Sequence, residues 1–467
     1  MSERLPRLAL GAFVVGLALH NLAMSVLWDL GLRGAGLDVV AAWKEALLLL
    51  ALAAVLWRSR RLPLATVADR LALAYALVVL AYAVVPQDWL GGDATGRGVL
   101  LALRHDLVPV AAYALGRLVV LARPHARRLL DLAVGVAVGV AVLGLLDVYL
   151  VPLQWWRDSG VPGWYEEQLG LEYEGLSGLP ENWVYNTGDE TNPIRRLVST
   201  FLSPLASAYL LVVVLLFLAA RPRRPWVLAA AGVLYAGLLF THTRAAYVAL
   251  AGGLVVLALV RRRWWPLAAA TASIAIGLAF VSVFAEIGPS TSYTPAELVE
   301  LRRNAAEEPG ASSDPLAADE SSIASHLRNL RDGVEAVLRH PQGYGLGNAG
   351  VVAKRTDVEI KAGESTYTEL GVETGLAGML LFVAWSAALL AALRVRSAWL
   401  TAAFAAVLVL ALQTDVLGVH WLAYCVWGAV GVALQPPPVS VPQTAGSAPP
   451  PERAPLAAAA ARRTSGS

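Results

Sequence analysis

Long apolar runs alternate with short polar connections along most of the chain. Because a helix needs about 20 mainly apolar residues to cross a bilayer, the pattern predicts an all-α, polytopic helical membrane protein with about twelve transmembrane helices. The predicted spans lie near 8–27, 39–57, 64–85, 98–121, 129–150, 197–219, 225–241, 245–260, 266–285, 369–393, 398–415 and 418–434.

Arginine clusters in the short connections predict the orientation. Short loops rich in Lys and Arg stay on the cytoplasmic side of a membrane. Every cluster follows an even-numbered span, so both termini are expected to be cytoplasmic and the chain to be a multi-pass protein of the bacterial cytoplasmic (inner) membrane. The clusters are Arg58/Arg60/Arg61, Arg123/Arg127/Arg128, Arg221/Arg223/Arg224, Arg261/Arg262/Arg263 and Arg394/Arg396.

Two long connections, about 151–196 and 286–368, are then expected on the outer side of the membrane. Residues 1–435 form the predicted transmembrane domain, and these connections are its extracytoplasmic loops. The segment 436–467 is rich in Pro, Ala and Ser and has no apolar periodicity. We expect it to be a disordered cytoplasmic tail without a catalytic role.

Composition agrees with this class of protein and excludes several kinds of site. Apolar residues make up 57% of the chain, charged residues make up 15%, and the mean hydropathy is +0.57. Cys425 is the single cysteine, which excludes an internal disulfide and a cysteine-based metal site. The histidines are scattered without ligand spacing. We therefore expect no metal, no cofactor and no nucleic-acid partner.

Arginines on the outer side have no help from the positive-inside preference and need another explanation. Arg195 and Arg196 precede a predicted span, and Arg244 lies in a very short hairpin at the outer boundary. Guanidinium groups bind phosphate oxygens bidentately, so this cluster suits a diphosphate. The alternative is that these arginines snorkel or pair with loop carboxylates. That alternative suits Arg195, whereas the tight turn at Arg244 leaves little freedom to snorkel.

The second long connection contains an amphipathic segment and a glycine run. Residues 321–341 carry apolar side chains at helical spacing and charged ones, including Arg328, on the opposite side. The segment predicts a helix lying on the bundle or on the membrane surface. The run GYGLG at 343–347 has neither the context of a dinucleotide site nor a Walker lysine, so it indicates a tight turn and close backbone approach.

The order of the motifs carries a resemblance. An Arg precedes a T-F-x-x-P helix start (Arg196 to Pro204), and a T-x-T-R-A hairpin follows (Thr241 to Ala245). Next come Arg328, HPQGYGLGN, and E-S-x-Y-x-E-L-x-x-E-T-G-L-A-G (Glu364 to Gly378). Over about 195–385 the chain resembles the O-antigen ligase and O-antigen polymerase superfamily of bacterial membrane glycosyltransferases.

This resemblance implies a GT-C-like helical enzyme that takes a glycan from undecaprenyl diphosphate and passes it to an acceptor hydroxyl on the outer face. In the family, arginines matching Arg196 and Arg244 bind the diphosphate, and a residue at the position of Glu364 acts near the acceptor. Many ligases have His followed by Asn where this chain has Glu364 and Ser365. Ligase and polymerase activity therefore both stay open.

The residues themselves agree with this chemistry. Displacing a diphosphate requires neutralised leaving-group charge and an oriented or deprotonated hydroxyl, which arginines and one carboxylate supply without a metal. We predict Glu364 and Arg244 as catalytic residues, and Arg195, Arg196, Arg244 and Arg328 as the diphosphate site. The alternative for Glu364 is an ordinary rim carboxylate. The expected partners are the lipid-linked donor, a glycan or lipid acceptor, and membrane lipids.

Two other functions stay open. A transporter or flippase of a lipid-linked glycan could use the same arginines to guide the headgroup. The predicted ionisable groups gather at one face, whereas a translocation path should place some near the midplane. Arg104, His105 and Asp106, in the outer half of the fourth span, are the residues that favour this second reading. A non-enzymatic assembly partner is the third.

Overall fold

The computed structural model describes residues 4–60, 62–171, 179, 183–185, 193–295, 298–299, 302–303 and 321–436. Helices make up most of this part. The predicted tail lies outside the described residues from 437 onward, as does much of both long connections. The helices are α1 Arg4–Asp29, α2 Ala35–Ala41, α3 Trp43–Ser59, α4 Val67–Tyr82, α5 Gln87–Leu90, α6 Gly96–Leu118, α7 Arg123–Leu150, α8 Leu153–Arg157, α9 Val161–Gly163, α10 Pro204–Ala219, α11 Pro225–Phe240, α12 Arg244–Arg261, α13 Trp265–Ile287, α14 Ser321–Arg339, α15 Gly350–Arg355, α16 Thr366–Leu393, α17 Ala398–Leu410 and α18 Trp427–Ala433.

Shorter pieces complete the described secondary structure. Trp164–Gln168 and Leu422–Val426 are π-helical, and Ser199–Phe201 is a 3₁₀ turn. Two short antiparallel strands, β1 Val184–Tyr185 and β2 Ile194–Arg195, pair within the first long connection.

Every predicted span coincides with a helix, which confirms the all-α membrane class. Within the described residues, six helices are long and apolar enough to cross a bilayer, or seven if the pair α2 and α3, bent by 44°, counts as one span. Four shorter apolar helices, Pro204–Ala219, Pro225–Phe240, Ala398–Leu410 and Leu422–Ala433, accompany them among the described residues. The count of twelve stays a prediction.

Helix α10 is the centre of the bundle. Its sequence is apolar on all sides, and nearly all its side chains are buried against α7, α11, α12 and α17. The helix begins at Pro204, where a missing N–H costs nothing, and Ser203 caps it by accepting from the Ala206 N–H at 3.2 Å. This buried helix directly follows Arg195 and Arg196, so it fixes the end of the first long connection.

The two long connections lie at the same end of the bundle. The Arg195 N–H donates to the Pro289 carbonyl at 2.8 Å, and the Thr291 N–H donates to the Pro193 carbonyl at 2.9 Å. At the other end of α7, Arg221 pairs with Asp131 at 2.8 Å. The long connections and this arginine-rich end therefore lie at opposite ends of the bundle, as the predicted topology requires. The side of the membrane that each end faces stays a prediction.

The glycine run makes the tight turns and close approaches that its sequence predicts. Gly343 and Gly347 have φ of 76° and 87°, in the left-handed region. A Cβ at Gly347 would lie 2.8 Å from the backbone of Gly98, and one at Gly343 would lie 2.5 Å from the nitrogen of Gly375. Gly375 itself has φ of 65° and interrupts α16. The run therefore packs directly against the bend in α16.

Candidate functional site

A cavity of about 470 Å³ lies among α1, α3, α6, α15 and α16 and is lined by residues of both long connections. Leu169 and Leu171 belong to the first connection and Lys354 and Glu364 to the second. The cavity is therefore open toward the end of the bundle that the long connections share. Its wall also carries titratable side chains from several spans, namely His20, Glu45, Arg104, His105, Asp106, Glu369, Glu373, Asp415 and His420.

Glu364 lies at the rim of this cavity and is held by the loop helix α14. Asn329 Nδ2 donates to its Oε1 at 2.9 Å, and His326 Nδ1 contacts its Oε2. Burial alone would raise the pKa of Glu364, but the hydrogen bonds and charge from His326, with the bond from Asn329, outweigh burial and lower the pKa. Glu364 has φ of 71°, which is rare for a residue with a side chain. It is an oriented carboxylate that stays ionised.

The start of α16 is bonded to the end of α17, which fixes the backbone beside Glu364. Ser365 Oγ and the Thr366 N–H both donate to the Ala411 carbonyl at 3.1 Å, and Thr366 Oγ1 donates to the Thr414 carbonyl at 3.1 Å. These bonds bring the segment after α17 alongside the rim. Asp415 thereby enters the same cavity as Glu364.

Below the rim, His105 lies between two carboxylates. Its Nδ1 is 2.8 Å from Asp106 Oδ1 and its Nε2 is 2.8 Å from Asp415 Oδ2. Asp415 also accepts from the backbone N–H groups of Leu417 and Gly418 at 3.0 and 2.9 Å. Asp106 Oδ2 is buried and has no hydrogen-bond partner among the described residues.

Glu369 and Glu373 add two more carboxyl groups from the first turns of α16. Both line the cavity and are almost fully buried, and Glu373 Oε1 accepts from the Gly347 N–H at 2.9 Å. With His105, Asp106 and Asp415, they give the cavity four carboxyl groups and one imidazole within its lining.

Arg196 and Arg244 both lie at the hairpin between α11 and α12. Arg196 Nε donates to the Thr241 carbonyl at 2.9 Å and its Nη2 donates to Thr243 Oγ1 at 3.3 Å, and Arg244 is the first residue of α12. Burial lowers the pKa of His242 well below its ordinary value, and the charges of Arg196 and Arg244 lower it further. His242 is therefore neutral and adds no positive charge beside the two arginines.

Arg195 faces away from that hairpin, into the scaffold. Its side chain is 2% exposed, and its Nη2 pairs with Asp147 Oδ2 at 2.8 Å near the end of α7. Nη1 donates to the carbonyl groups of Asp147 and Val151. These contacts occupy the guanidinium fork, so we leave Arg195 out of the proposed diphosphate site. The pairing alternative anticipated a loop carboxylate, whereas the partner is a carboxylate of α7.

Replacing Arg195 by Met is expected to destabilise the protein by about 3–5 kcal/mol, because it leaves the Asp147 carboxylate buried without its cation. Denaturant unfolding of the purified protein in detergent measures the change. The double variant Arg195→Met with Asp147→Leu is the matched control and is expected to recover most of the loss. Unchanged stability together with weaker binding of a lipid diphosphate would return Arg195 to the diphosphate site.

Arg328 is exposed on α14, one residue from Asn329 and two from His326. It therefore sits on the helix that holds Glu364. The structure thus gathers the predicted site residues in two places, with Glu364 and Arg328 at the cavity rim and with Arg196 and Arg244 at the hairpin, outside the residues that line the cavity.

Sequence reasoning did not predict the interior of the cavity. Asp415 has no local signal, since it lies in an ordinary short connection and meets His105 only through the fold. Lys354 and Arg355 resemble any basic pair in a loop. The triplet Arg104, His105 and Asp106 within an apolar span was the one available signal, because ionisable groups in a span mark function.

These features define a multi-pass membrane protein with a polar cavity at one end of a helical bundle. Residues 229–383 match the family model described as O-antigen ligase (Wzy_C). This match confirms the resemblance to the O-antigen ligase and polymerase superfamily and supports O-antigen ligase- or polymerase-like glycan transfer in the bacterial inner membrane. The matched segment contains Arg244, Arg328 and Glu364. No curated protein matches the chain.

Proposed function

We propose that this protein transfers or polymerises a glycan from an undecaprenyl diphosphate-linked donor to an acceptor hydroxyl on the outer face of the cytoplasmic membrane. The observation that carries the proposal is Glu364, an ionised and oriented carboxylate at the rim of a cavity large enough for sugar, within the segment that matches the O-antigen ligase family. The reaction serves the synthesis of a cell-surface polysaccharide.

Arg196 and Arg244 bind the donor diphosphate in this proposal. They converge beside a neutral His242, and Arg244 opens α12, whose N-terminal N–H groups also favour an anion. Arg328 is a further contact from α14. The arginines neutralise the charge that develops on the leaving diphosphate, which is the part of the reaction that a metal serves in other enzymes. We therefore propose a metal-independent transferase without a cofactor.

Glu364 orients the acceptor hydroxyl. The hydroxyl oxygen forms a bond to the anomeric carbon, the bond from that carbon to the diphosphate oxygen breaks, and the diphosphate leaves with the electron pair. Glu364 accepts the proton of the hydroxyl group and can then release it to water. Since the lowered pKa makes Glu364 a weak base, orientation is its main contribution.

The direct test uses the purified protein with a diphosphate-linked glycan and an acceptor glycan. Release of undecaprenyl diphosphate together with a longer glycan supports the proposal. If the donor stays intact under conditions where it binds, glycan transfer is not the function.

A flippase of a lipid-linked glycan is the second candidate, favoured by the burial of His105, Asp106 and Asp415 between spans. Such groups are typical of proton-coupled transport. Vesicles containing the purified protein and a fluorescent lipid-linked glycan separate the two functions. Movement between leaflets without cleavage of the diphosphate bond would favour the flippase.

The proposed topology has both termini inside, the long connections outside, and residues 436–467 as a cytoplasmic tail. A cysteine introduced at Glu359 should label from outside in intact cells, and one at Arg224 should label only after the membrane is permeabilised. Both side chains are exposed, and the Cys425→Ser background removes the native thiol. Labelling of both sites from the same side would contradict the topology and the proposed active face.

A further inference from the structure

The lining of the cavity also carries three cations that the proposed chemistry does not use. Arg104 comes from α6, and Lys354 and Arg355 end the short helix α15. Placing them in one cavity is costly, because like charges repel and burial partly removes Arg355 from water. Perturbed charged groups that gather in a cleft mark a candidate binding site.

Arg355 shows this cost most clearly. Burial, together with the neighbouring charges of Arg104 and Arg97, lowers its pKa to about 10, and Asp38 offsets these effects only in part. Its Nε donates to the Leu169 carbonyl at 3.2 Å. In the part of the chain that the structure describes, no carboxylate forms an ion pair with it.

The other two cations are also incompletely neutralised. Lys354 is exposed at the cavity mouth and forms no ion pair within the described ranges. Arg104 Nη1 lies 3.6 Å from Glu45 Oε1, and Lys44 Nζ lies at the same distance from the same oxygen. One carboxylate thus serves two cations. Positive charge therefore exceeds negative charge on this part of the lining.

We infer that Arg104, Lys354 and Arg355 form an anion-binding site for a phosphate or carboxylate group of a substrate, in the same cavity as Glu364. Two guanidinium groups can each present a bidentate fork to the anion, and the lysine adds a mobile point charge at the mouth. The site's role in catalysis rests on the proposed glycan transfer. Its existence does not, because anion binding can be measured without turnover.

Two substrates can supply this chemistry. The first is the donor, whose diphosphate would then reach into the cavity beyond Arg196 and Arg244. The second is an acceptor that carries a phosphate or an acidic sugar, which the site would hold with its hydroxyl toward Glu364. Neither Arg196 nor Arg244 lines the cavity, so the anion that binds there can belong either to the donor or to an acidic acceptor.

The experiment measures binding to the full chain in nanodiscs of zwitterionic lipid, with farnesyl diphosphate and methyl glucuronide as probes. Arg355→Gln and the pair Lys354→Gln with Arg355→Gln are compared with Arg224→Gln, an exposed arginine in a short connection at the other end of the bundle. We expect at least one probe to bind about tenfold more weakly to the cavity variants, since bonds to charged groups are lost. Arg355→Lys keeps the charge and is expected to recover part of the affinity.

The probe that weakens identifies the source. Weaker farnesyl diphosphate binding assigns the site to the donor, and weaker glucuronide binding alone assigns it to an acidic acceptor. If both cavity variants bind both probes as tightly as Arg224→Gln does, the inference is wrong. A protein that binds these probes through the cavity but transfers no glycan would overturn the proposed function and leave the anion site standing.

Discussion

Glu364→Gln is expected to abolish glycan transfer while the lipid-linked donor still binds with nearly unchanged affinity. Glutamine keeps the shape and one acceptor oxygen but removes the negative charge. Asn329 can still donate to the remaining oxygen, so one of the two contacts that hold this side chain is kept. The acceptor hydroxyl, in contrast, loses the anion that orients it and takes its proton.

The pH dependence follows from the same group. The folded protein lowers the pKa of Glu364 below its ordinary value of 4.5, so the carboxylate is ionised throughout the neutral range. Protonation removes the anion only as the pH falls through that lowered pKa. Between about pH 5 and 8 we therefore expect no loss of transfer from this group.

Glu359→Gln is the matched control for this substitution. Glu359 is an exposed carboxylate of the same connection, bonded to Lys361, and does not line the cavity. The control is expected to transfer normally. Equal loss of donor binding and transfer in Glu364→Gln would make Glu364 a structural residue, and normal transfer would move its role to another group such as Glu369 or His420.

Arg244→Lys is expected to lower transfer by about 100-fold or more, although the charge is kept. Lysine offers a single ammonium group where arginine offers a planar fork, so the bidentate bonds to the diphosphate are lost. Removing one preorganised donor from a developing anion costs about that much in other enzymes. Initial rates at saturating acceptor, together with the donor affinity, measure the effect.

Arg263→Lys is the control for Arg244→Lys, because Arg263 is exposed just after the opposite end of α12. It is expected to leave both rate and affinity unchanged. Near-normal turnover of Arg244→Ala would place the diphosphate elsewhere, and the cavity cations Arg104 and Arg355 would become the leading site.

The helices and the hairpin could be predicted from the sequence because they depend on residues that are close together in the chain. An apolar run of sufficient length has few alternatives to a helix in a bilayer, and a short connection between two such helices keeps Arg244 at the boundary. The convergence of Arg196 with Arg244 was also predictable, because each directly adjoins a span. The amphipathic pattern of α14 was equally local.

The remainder of the site depends on contacts between distant segments. His105 and Asp415 are separated by 310 positions, and nothing near either residue indicates the other. Asp147 could not be assigned to Arg195 for the same reason. The attachment of Glu364 to His326 and Asn329 requires the packing of α14 on α16, which one helix's pattern does not specify.

The bend at Gly375 divides α16 into a short segment at the cavity and a longer segment that continues through the bundle. The residues before it carry Glu369 and Glu373 and are tied to the glycine run, while those after it continue through the bundle to Leu393. Bilayers of different thickness change the tilt of a spanning helix. If the bend at Gly375 takes up such a change in tilt, the carboxyl groups keep their positions, and we expect the activity to change little with acyl-chain length.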